Sequence, residues 1–160
     1  MIFIGIDPGL QGALVAINEN YTVLGKFKAP ILKNEKGKNL YDVPQMVEIL
    51  KQFNPNLVVL EKSQAMPGQG VSSMWAIGRG YGLWEGIIAA LGYPYKLVHP
   101  KTWQKEILKD YDKSDTKQAS TLYAGRTFPN ESFKATDRCT KIDNNITDAV
   151  CMAVYAKQTY

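Results

Sequence analysis

Three carboxylates stand in apolar surroundings in this chain of 160 residues. Asp7 ends the run "IFIGID", Glu61 ends "LVVLE", and Asp148 lies in "NITDAV". An ionised carboxylate in such surroundings is costly unless it has a partner, and no lysine or arginine recurs beside all three. Carboxylates without nearby cysteine or histidine ligands suit Mg²⁺ or Mn²⁺. Two ions held in this way can activate water and stabilise the leaving oxygen in phosphodiester cleavage.

Each of these residues also has a simpler interpretation. Asp7 is followed by proline and glycine, which is good turn chemistry. Glu61 could pair with the adjacent Lys62 or with another surface cation. Asp148 could be no more than a charge stabilised by a helix dipole. The three together favour the metal site, because two of them end neighbouring predicted strands and the third lies on a helix able to pack beside them.

The apolar patterning predicts an α/β architecture with a mixed sheet. "IFIGID", "GALVAI" and "YTVLGKFKA" predict an antiparallel meander, and "LVVLEK" and "YKLV" predict two more strands, the first of them buried on both faces. Helices are expected at "VPQMVEILKQF", "SSMWAIGRGYGLWEGIIAALG", "HPKTWQKEILK", "TKQASTLYAGRTF" and "NITDAVCMAVYAKQTY". The order, βββαβαβα in outline, predicts a five-stranded sheet flanked by helices in one domain.

Polar stretches and capping residues predict where these elements end. "PILKNEKGKNL", "MPGQGVSS" and "PNESFKATDRCTK" are expected to be loops. The capping candidates are Ser72 or Ser73 at the start and Gly92 at the end of the second helix, Ser114 or Asp115 at the start of the fourth, and Asn144 or Asn145 at the start of the last.

Glycines recur at four-residue spacing in the second helix, at Gly78, Gly82 and Gly86. Each costs up to about 1 kcal/mol in a helix interior, so the pattern requires a reason. Close packing against a sheet or another helix is the favoured one, and approach of a ligand backbone is the alternative.

Charge is distributed unevenly along the chain. The net charge is +4, and the segment 94–141 holds ten basic and six acidic residues, which accounts for the whole excess. This weakly indicates a polyanionic partner, although a solvated surface explains it equally well. No apolar run approaches the roughly 20 residues of a membrane span. Cys139 and Cys151 lack metal-ligand spacing, so we expect reduced thiols in a cytosolic protein without a signal peptide.

The motifs "FIGIDPGLQGALVAI", "LVVLEK", the glycine-bearing helix and "NITDAVCMAVYA" resemble the RuvC family of Holliday junction resolvases, and its shorter phage-encoded members in particular. The resemblance covers nearly the whole chain, 1–160, in the family's order and spacing. It implies a ribonuclease H-like fold and a homodimer in the bacterial cytosol. It further implies cleavage of four-way DNA junctions with two Mg²⁺ or Mn²⁺ ions and no nucleotide cofactor, and it makes Asp7, Glu61 and Asp148 the catalytic metal ligands.

The sequence departs from the family pattern at Asn145, where cellular members carry a carboxylate three residues before the final aspartate. Asparagine still offers a carbonyl oxygen to a cation, and the i, i+3 spacing keeps it on the helical face of Asp148. We therefore count Asn145 among the catalytic and metal-binding residues. Asp143 could reach the site only if the helix starts after it. The departure leaves the number of metal ions open.

The resemblance gives several basic residues a predicted task. Lys117 lies where the family has a basic residue important for catalysis, and a lysine there would stabilise charge on the scissile phosphate. Others would neutralise backbone phosphates, although four-residue spacing from Lys101 to Lys109 is equally typical of a solvated helical face. The predicted DNA-contacting residues are Lys101, Lys105, Lys109, Arg79 and Lys62.

The only histidine and the tryptophans receive less specific predictions. His99 could assist proton transfer, but a structural or DNA-contacting role is favoured. Trp75, Trp84 and Trp103 are expected in the core or at an interface rather than stacked on bases. The segment "GRGYGLWEG" is the candidate dimer interface.

Three other functions stay open. A RuvC-like relative could process RNA or other branched DNA. A nucleotide-binding protein of the actin and sugar-kinase type also begins with a strand, an aspartate and a glycine turn, but it needs a second domain for which this chain is too short. A non-catalytic junction-binding protein is the third alternative, with Asn145 as its best argument.

Overall fold

The computed structural model describes residues 1–63, 68 and 70–160. The strands in these residues are β1 (Ile2–Asp7), β2 (Ala13–Asn18), β3 (Val23–Lys28), β4 (Ile31–Lys33), β5 (Asn39–Tyr41), β6 (Leu57–Glu61) and β7 (Tyr95–Val98). The helices are α1 (Val43–Lys51), α2 (Val71–Ala90), α3 (Pro100–Ile107), α4 (Thr116–Thr127) and α5 (Asn144–Gln158). The predicted loop "MPGQGVSS" (66–73) lies partly outside the described residues, and its last three residues begin α2.

Five strands form one mixed sheet in the order β3-β2-β1-β6-β7. β1, β2 and β3 follow one another through short turns and pair antiparallel. β1, β6 and β7 pair parallel, because the segments that contain α1 and α2 return the chain to the starting edge of the sheet. The carboxyl ends of β1, β6 and β7 therefore meet at one edge, here called the carboxyl edge. The predicted mixed sheet is confirmed.

Helices cover both faces of this sheet. Residues of even number in β1 and β6, such as Ile4, Ile6 and Leu60, pack in one core cluster with α1 and α2. Residues of odd number, such as Phe3 and Val59, pack in the other cluster with α3, α4 and α5. Successive side chains of a strand point to opposite faces, so the sequence number of a residue in β1 or β6 tells which helical layer it faces.

Gly5 brings α5 against the centre of the sheet. A Cβ at this position would collide with the backbone of α5 at Ala149 and Ala153, so a larger residue would push the helix away. α5 is buried along most of its length. The helix that carries Asp148 therefore lies directly over β1.

The prediction of a loop at "PILKNEKGKNL" is wrong, because these residues contain the two-stranded antiparallel sheet β4–β5. Asn34 builds its turn: the side-chain oxygen accepts hydrogen bonds from the N–H groups of Lys36 and Lys38. Gly37 supplies a positive φ of 72°. The turn-forming residues outweigh the polar composition that suggested a loop.

The predicted start of α2 is wrong, and its predicted end is confirmed. Gly70 is the N-cap and makes no side-chain hydrogen bond, whereas Ser72 and Ser73 lie inside the helix. Gly92 follows the last turn with a φ of 72°, a conformation that favours glycine.

The other two helix starts are set by aspartates. Asp115 caps α4 by accepting from the N–H groups of the second and third helical residues, which confirms one of the two candidates. Asp143, rather than Asn144 or Asn145, caps α5 in the same manner. The Asp143 carboxylate, one residue before Asn144, accepts hydrogen bonds from these N–H groups. Its negative charge is also stabilised by the positive end of the helix dipole.

The close packing predicted for the glycine stripe is not found within one chain. Among the residues that the structure describes, a Cβ at Gly78, Gly82 or Gly86 would meet nothing within 4 Å, so this face of α2 is open. Gly80 is the glycine of α2 that packs closely, since a Cβ there would collide with the hydroxyl group of Tyr41.

Two further expectations concern thiols and membrane spans. Cys139 and Cys151 are free thiols, and Cys151 is buried. Within the part of the chain that the structure describes, no helix combines the length and the apolar character that crossing a membrane requires.

Candidate metal and DNA site

Asp7 and Glu61 hold the last positions of two neighbouring parallel strands. β1 and β6 pair up to Ile6 and Leu60, so the next residue of each strand is the carboxylate. Both carboxylates have odd numbers and therefore point to the face that α5 covers. Asp148 approaches from the second turn of α5 and interacts electrostatically with both. The three predicted residues are brought together at the carboxyl edge.

Burial and mutual repulsion shift the acidity of these carboxylates. Burial is the largest cause that raises the pKa of Asp7, raises the pKa of Glu61 to about 7, and raises the pKa of Asp148 to about 6. The charge of Asp7 raises the pKa of the other two further. None of the three forms an ion pair within the described residues. The pairing of Glu61 with Lys62 that the sequence allowed is therefore not seen.

Two buried side chains of α3 and α4 act on the carboxylates. The indole Nε1–H of Trp103 donates a hydrogen bond to Glu61 Oε1 at 2.8 Å, and because Trp103 is fully buried, this bond orients Glu61. The hydroxyl group of Ser120 donates to the carbonyl oxygen of Thr116 at 3.0 Å, and its proximity to Asp148 lowers the pKa of that carboxyl against the effect of burial.

Asn145 fixes the turn that follows Asp7. Its Nδ2 donates to the carbonyl oxygen of Gln11 at 2.6 Å, and the ammonium group of Lys28 donates to the same carbonyl. Because the amide nitrogen is engaged, Oδ1 is the atom that Asn145 retains for a cation. The residue that departs from the family pattern ties α5 to the β1–β2 turn.

Asp143 meets the condition under which it could reach the site, since α5 starts at the next residue. Its Oδ1 accepts from the backbone N–H of Asn145 at 3.0 Å, and its Oδ2 pairs with Lys28 Nζ at 2.9 Å. Its charge raises the pKa of Asp7. Both oxygens of Asp143 are therefore engaged, and in this arrangement it supports α5 and Lys28 rather than offering an open ligand.

The donor set suits a divalent cation. Burial first and mutual repulsion second raise the pKa values of these carboxylates, and a hard cation would offset both effects. As they stand, no three His, Cys, Asp or Glu side chains among residues 1–63, 68 and 70–160 are close enough to hold one ion. The carboxylates form an open site whose oxygens must draw together to close on a cation.

Lys117 lies close enough to the carboxylates to act on them. It occupies the first turn of α4, next to the cap residue Asp115. Its charge lowers the pKa of both Asp7 and Asp148, and its side chain is exposed. A cation in this position can reach an anion that lies over the carboxylates.

The predicted DNA-contacting lysines lie on several elements. Lys62 follows β6 directly, Lys101 lies in the first turn of α3 after β7, and both are exposed. Lys105 is exposed one turn further along α3. Lys109 does not share their helical face, because α3 ends at Ile107.

Tyr41 connects α2, on the sheet face opposite α5, to the turn after Asp7. Its hydroxyl group lies 3.2 Å from the carbonyl oxygen of Pro8 and 3.3 Å from that of Ala76 in α2. Burial and the charge of Asp7 raise the pKa of Tyr41 to about 12, while the charge of Arg79 opposes this shift. Arg79, a predicted DNA-contacting residue, is exposed on α2 near this junction.

The tryptophans divide between core and surface. Trp84 and Trp103 are buried as predicted, whereas Trp75 is 72% exposed and is not part of the core. His99 precedes α3 at the cap position and makes no side-chain cap hydrogen bond. Its structural or DNA-contacting role stays a prediction.

The sequence patterns do not single out Lys28 and Tyr41. β3 runs antiparallel to β2 and pairs Lys28 with Ala13, so the predicted meander already implied that Lys28 ends near Asp7. Tyr41 ends β5, a strand that the polar composition concealed, so its position could not be expected.

Comparison with solved structures finds Holliday junction resolvases. RuvC of Thermus thermophilus in complex with a Holliday junction substrate has a TM-score of 0.60 and 14% identity, and the match covers 96% of this chain and 91% of that one. The Holliday junction resolvase of fowlpox virus has a TM-score of 0.60 and 16% identity over 100% of both chains. The yeast mitochondrial resolvase Ydc2 has a TM-score of 0.56 and 18% identity over 97% of this chain and 77% of its own.

No protein-family model matches this sequence, and no curated protein matches it. The likeness is therefore one of structure, and it extends over nearly the whole chain. The mixed sheet, its strand order and these comparisons agree that this chain has the ribonuclease H-like fold of RuvC and the RuvC-like Holliday junction resolvases.

Proposed function

We propose that this protein is a divalent-metal-dependent endonuclease that cuts branched DNA, four-way junctions foremost, by phosphodiester hydrolysis. The observation that carries the proposal is that Asp7 and Glu61 end neighbouring parallel strands at the carboxyl edge, with Asp148 near enough on α5 for its charge to raise the pKa of Glu61. The fold supports it, since the similar structures are those of Holliday junction resolvases. One domain, 1–160, would carry the whole activity.

The residues of the site divide the work of holding a cation. Asp7 and Glu61 would bind it from the sheet and Asp148 from α5, with Asn145 adding its Oδ1. Mg²⁺ or Mn²⁺, with two ions in the complete site, supplies an activated water and stabilises the leaving oxygen. Trp103 fixes one oxygen of Glu61 and leaves the other to the cation.

Basic residues would hold the DNA. Negative charge develops on the scissile phosphate during hydrolysis. The exposed Lys117, whose charge lowers the pKa of Asp7 and Asp148, would stabilise that charge. The remaining predicted contacts neutralise backbone phosphates and make binding salt-dependent: Lys62, Lys101, Lys105, Lys109 and Arg79.

A homodimer formed through α2 is part of the proposal. The open glycine face borders an apolar groove of about 290 Å³ whose lining includes Val47, Leu83 and Gly86. Trp75 is 72% exposed on the same helix. Gly78, Gly82 and Gly86, which have no side-chain neighbours among the described residues, would allow a second helix to approach closely, and covering exposed apolar groups is favourable. Two sites in one dimer would let two strands of a junction be cut.

A protein that binds branched DNA without cutting it is the second candidate. It is favoured by the engagement of the Asn145 amide with Gln11 and by the open arrangement of the carboxylates in the described residues. Cleavage of RNA rests on the fold alone.

Whether the substrate is DNA or RNA, we propose that the protein works in the cytosol of a bacterium and is encoded by the bacterium or a phage. The two free thiols are in keeping with a cytosolic location.

The test is a cleavage assay on a labelled four-way junction beside forked, nicked and duplex DNA and an RNA duplex, each with Mg²⁺, Mn²⁺ or EDTA. We expect metal-dependent nicks in the junction that leave 5′-phosphates, and a rate about 1,000-fold lower for Asp7→Asn. Junction binding without cleavage in either metal would favour the binding protein. Preferential cutting of the RNA duplex would favour an RNA nuclease.

A further inference from the structure

A two-stranded ribbon, residues 31–41, stands apart from the main sheet. It consists of β4 and β5, which pair only with each other. Ile31 and Leu32 point to opposite faces of the ribbon, and they are 41% and 44% exposed. Neither face of β4 is therefore covered by the rest of the described chain.

The ribbon is anchored beside the candidate active site. At its base Tyr41 is buried and contacts the carbonyl oxygen of Pro8, the residue that follows Asp7. At the base of the other strand, Pro30 follows Ala29, whose N–H donates to the carbonyl oxygen of Gly12 in the same turn. The tip lies three to four residues beyond Tyr41, about 10–13 Å at the usual rise of a strand. DNA bound at the carboxyl edge is within reach of this tip.

The tip of the ribbon is basic and well organised. Lys33, Lys36 and Lys38 outnumber the single acidic residue there, Glu35. The side chain of Asn34 accepts from the N–H groups of Lys36 and Lys38 at 3.0 and 2.9 Å, which fixes the turn. None of the three lysines forms an ion pair within residues 1–63, 68 and 70–160. Their charges are available to an outside anion.

We propose that the ribbon binds a duplex arm of the branched DNA beside the strand that enters the active site, with its three lysines on backbone phosphates. A two-stranded ribbon has the width to enter the major groove of duplex DNA. Unpaired lysines concentrated at its tip match a polyanion by charge. This inference rests on the proposed nuclease function and adds to it a contact with the flanking duplex.

The test compares junction binding by Asp7→Asn protein with and without the substitutions K33Q, K36Q and K38Q, at 50–300 mM KCl. If each lysine neutralises one phosphate, the slope of log K against log salt concentration becomes shallower by about 2.7. The affinity ratio between the two proteins then shrinks about 40-fold from 50 to 200 mM salt. Replacing the same lysines by arginine keeps the charge and should keep the parent slope.

The matched control removes three lysines from the opposite edge of the sheet. Lys51 ends α1, Lys96 Nζ donates to the carbonyl oxygen of Thr159, and Lys157 lies in the last turn of α5. The triple variant K51Q/K96Q/K157Q loses the same charge and should retain the parent slope. Thermal unfolding of all variants checks that each one folds.

Three outcomes would overturn the ribbon inference, and they differ in what they leave standing. An unchanged slope in a folded ribbon variant removes the ribbon contact and leaves the proposed function intact. A ribbon variant that binds normally but sediments as a smaller species assigns the ribbon to a second copy of the chain. Failure of the Asp7→Asn parent to bind the junction at all removes the ribbon contact together with the proposed function.

Discussion

Glu61 and Asp148 carry charges that the folded protein tolerates poorly without a cation. Burial raises the pKa of Glu61 from its ordinary value of 4.5 to about 7, and that of Asp148 from 3.8 to about 6. Over this range the folded protein binds more protons than the unfolded chain. The free energy of unfolding therefore falls as the pH rises from about 4 to about 7. The same feature that prepares the site for a cation lowers the stability of the metal-free protein.

This linkage predicts how stability depends on pH and on Mg²⁺. We expect the metal-free protein to melt at a lower temperature at pH 8 than at pH 5.5, and Mg²⁺ to raise Tm far more at pH 8, because cations and protons compete for the same oxygens. Glu61→Gln preserves an acceptor for Trp103 and should reduce the pH dependence. Differential scanning calorimetry measures all of these Tm values. Equal stabilisation by Mg²⁺ at both pH values would contradict the assignment.

Asn145 offers a second test among the residues of the site. Asn145→Asp replaces the donor to the Gln11 carbonyl with a charged acceptor, so we expect the free energy of unfolding without metal to fall by about 1–3 kcal/mol. The new carboxylate should tighten Mg²⁺ binding, measured by calorimetric titration. Asn145→Ala loses the hydrogen bond without adding a ligand and serves as the control. If the aspartate variant binds Mg²⁺ no better than the alanine variant, residue 145 does not contact the cation.

At the scale of elements, the site depends on how closely α5 approaches β1. Asp7 and Asp148 belong to different elements, and Gly5 sets the distance between them because the backbone of α5 at Ala149 occupies the place of a Cβ. The hydrogen bond from Asn145 to Gln11 ties the start of the same helix to the β1–β2 turn. Packing and hydrogen bonding therefore act together to position the helix-borne carboxylate.

Gly5→Ala should disturb both stability and catalysis. The methyl group has to displace α5, so we expect the free energy of unfolding to fall by about 1–3 kcal/mol and junction cleavage to slow, with binding of the junction retained. Gly125→Ala in α4 is the control, since its Cβ meets no other described residue within 4 Å and alanine is the better helix former by up to about 1 kcal/mol. Cleavage at the normal rate by a folded Gly5→Ala protein would show that the approach of α5 does not set the site.

Local sequence patterns determine part of this architecture and leave the rest undetermined. Asp7 and Glu61 each end an apolar run that the sequence predicts as a strand. Since these two strands pair in parallel, both carboxylates lie at one edge of the sheet. The ribbon depends on hydrogen bonds of Asn34, which composition does not reveal. The contact of Trp103 with Glu61 joins residues 42 positions apart. Which glycine of α2 packs closely depends on the face that the helix turns to Tyr41. The even spacing of Gly78, Gly82 and Gly86 predicted one face, whereas Gly80, on another face, is the glycine that contacts Tyr41.

At the scale of the whole molecule, the two sides of the sheet present different surfaces. The carboxyl edge holds the acidic site with Lys117 and the ribbon beside it, whereas α2 presents an open glycine face and the exposed Trp75. A junction has two strands to be cut, and one chain has one set of carboxylates. Pairing of two chains through α2 would supply the second set.

The proposed dimer predicts the effect of a charge on the open face of α2. Gly82→Lys has room against the described part of a single chain, where a Cβ at Gly82 meets nothing within 4 Å. In the proposed dimer, however, a lysine there would be buried against a second helix. We expect this variant to sediment as a monomer. The same change at Gly125, which is also open, should leave the dimer intact. A Gly82→Lys protein that still sediments as a dimer would place the interface elsewhere.

If carboxylates from two strands and one helix form a single metal site for cutting DNA, loss of the helix-borne carboxylate should abolish cleavage. The measurement is the single-turnover rate of cleavage of a four-way junction in saturating Mg²⁺ by wild-type protein and by Asp148→Asn. We expect a rate at least about 1,000-fold lower for Asp148→Asn, with junction binding retained, and an unchanged rate for Asp110→Asn, which alters an exposed carboxylate after α3. Cleavage by Asp148→Asn at the wild-type rate would show that Asp148 is not part of the site.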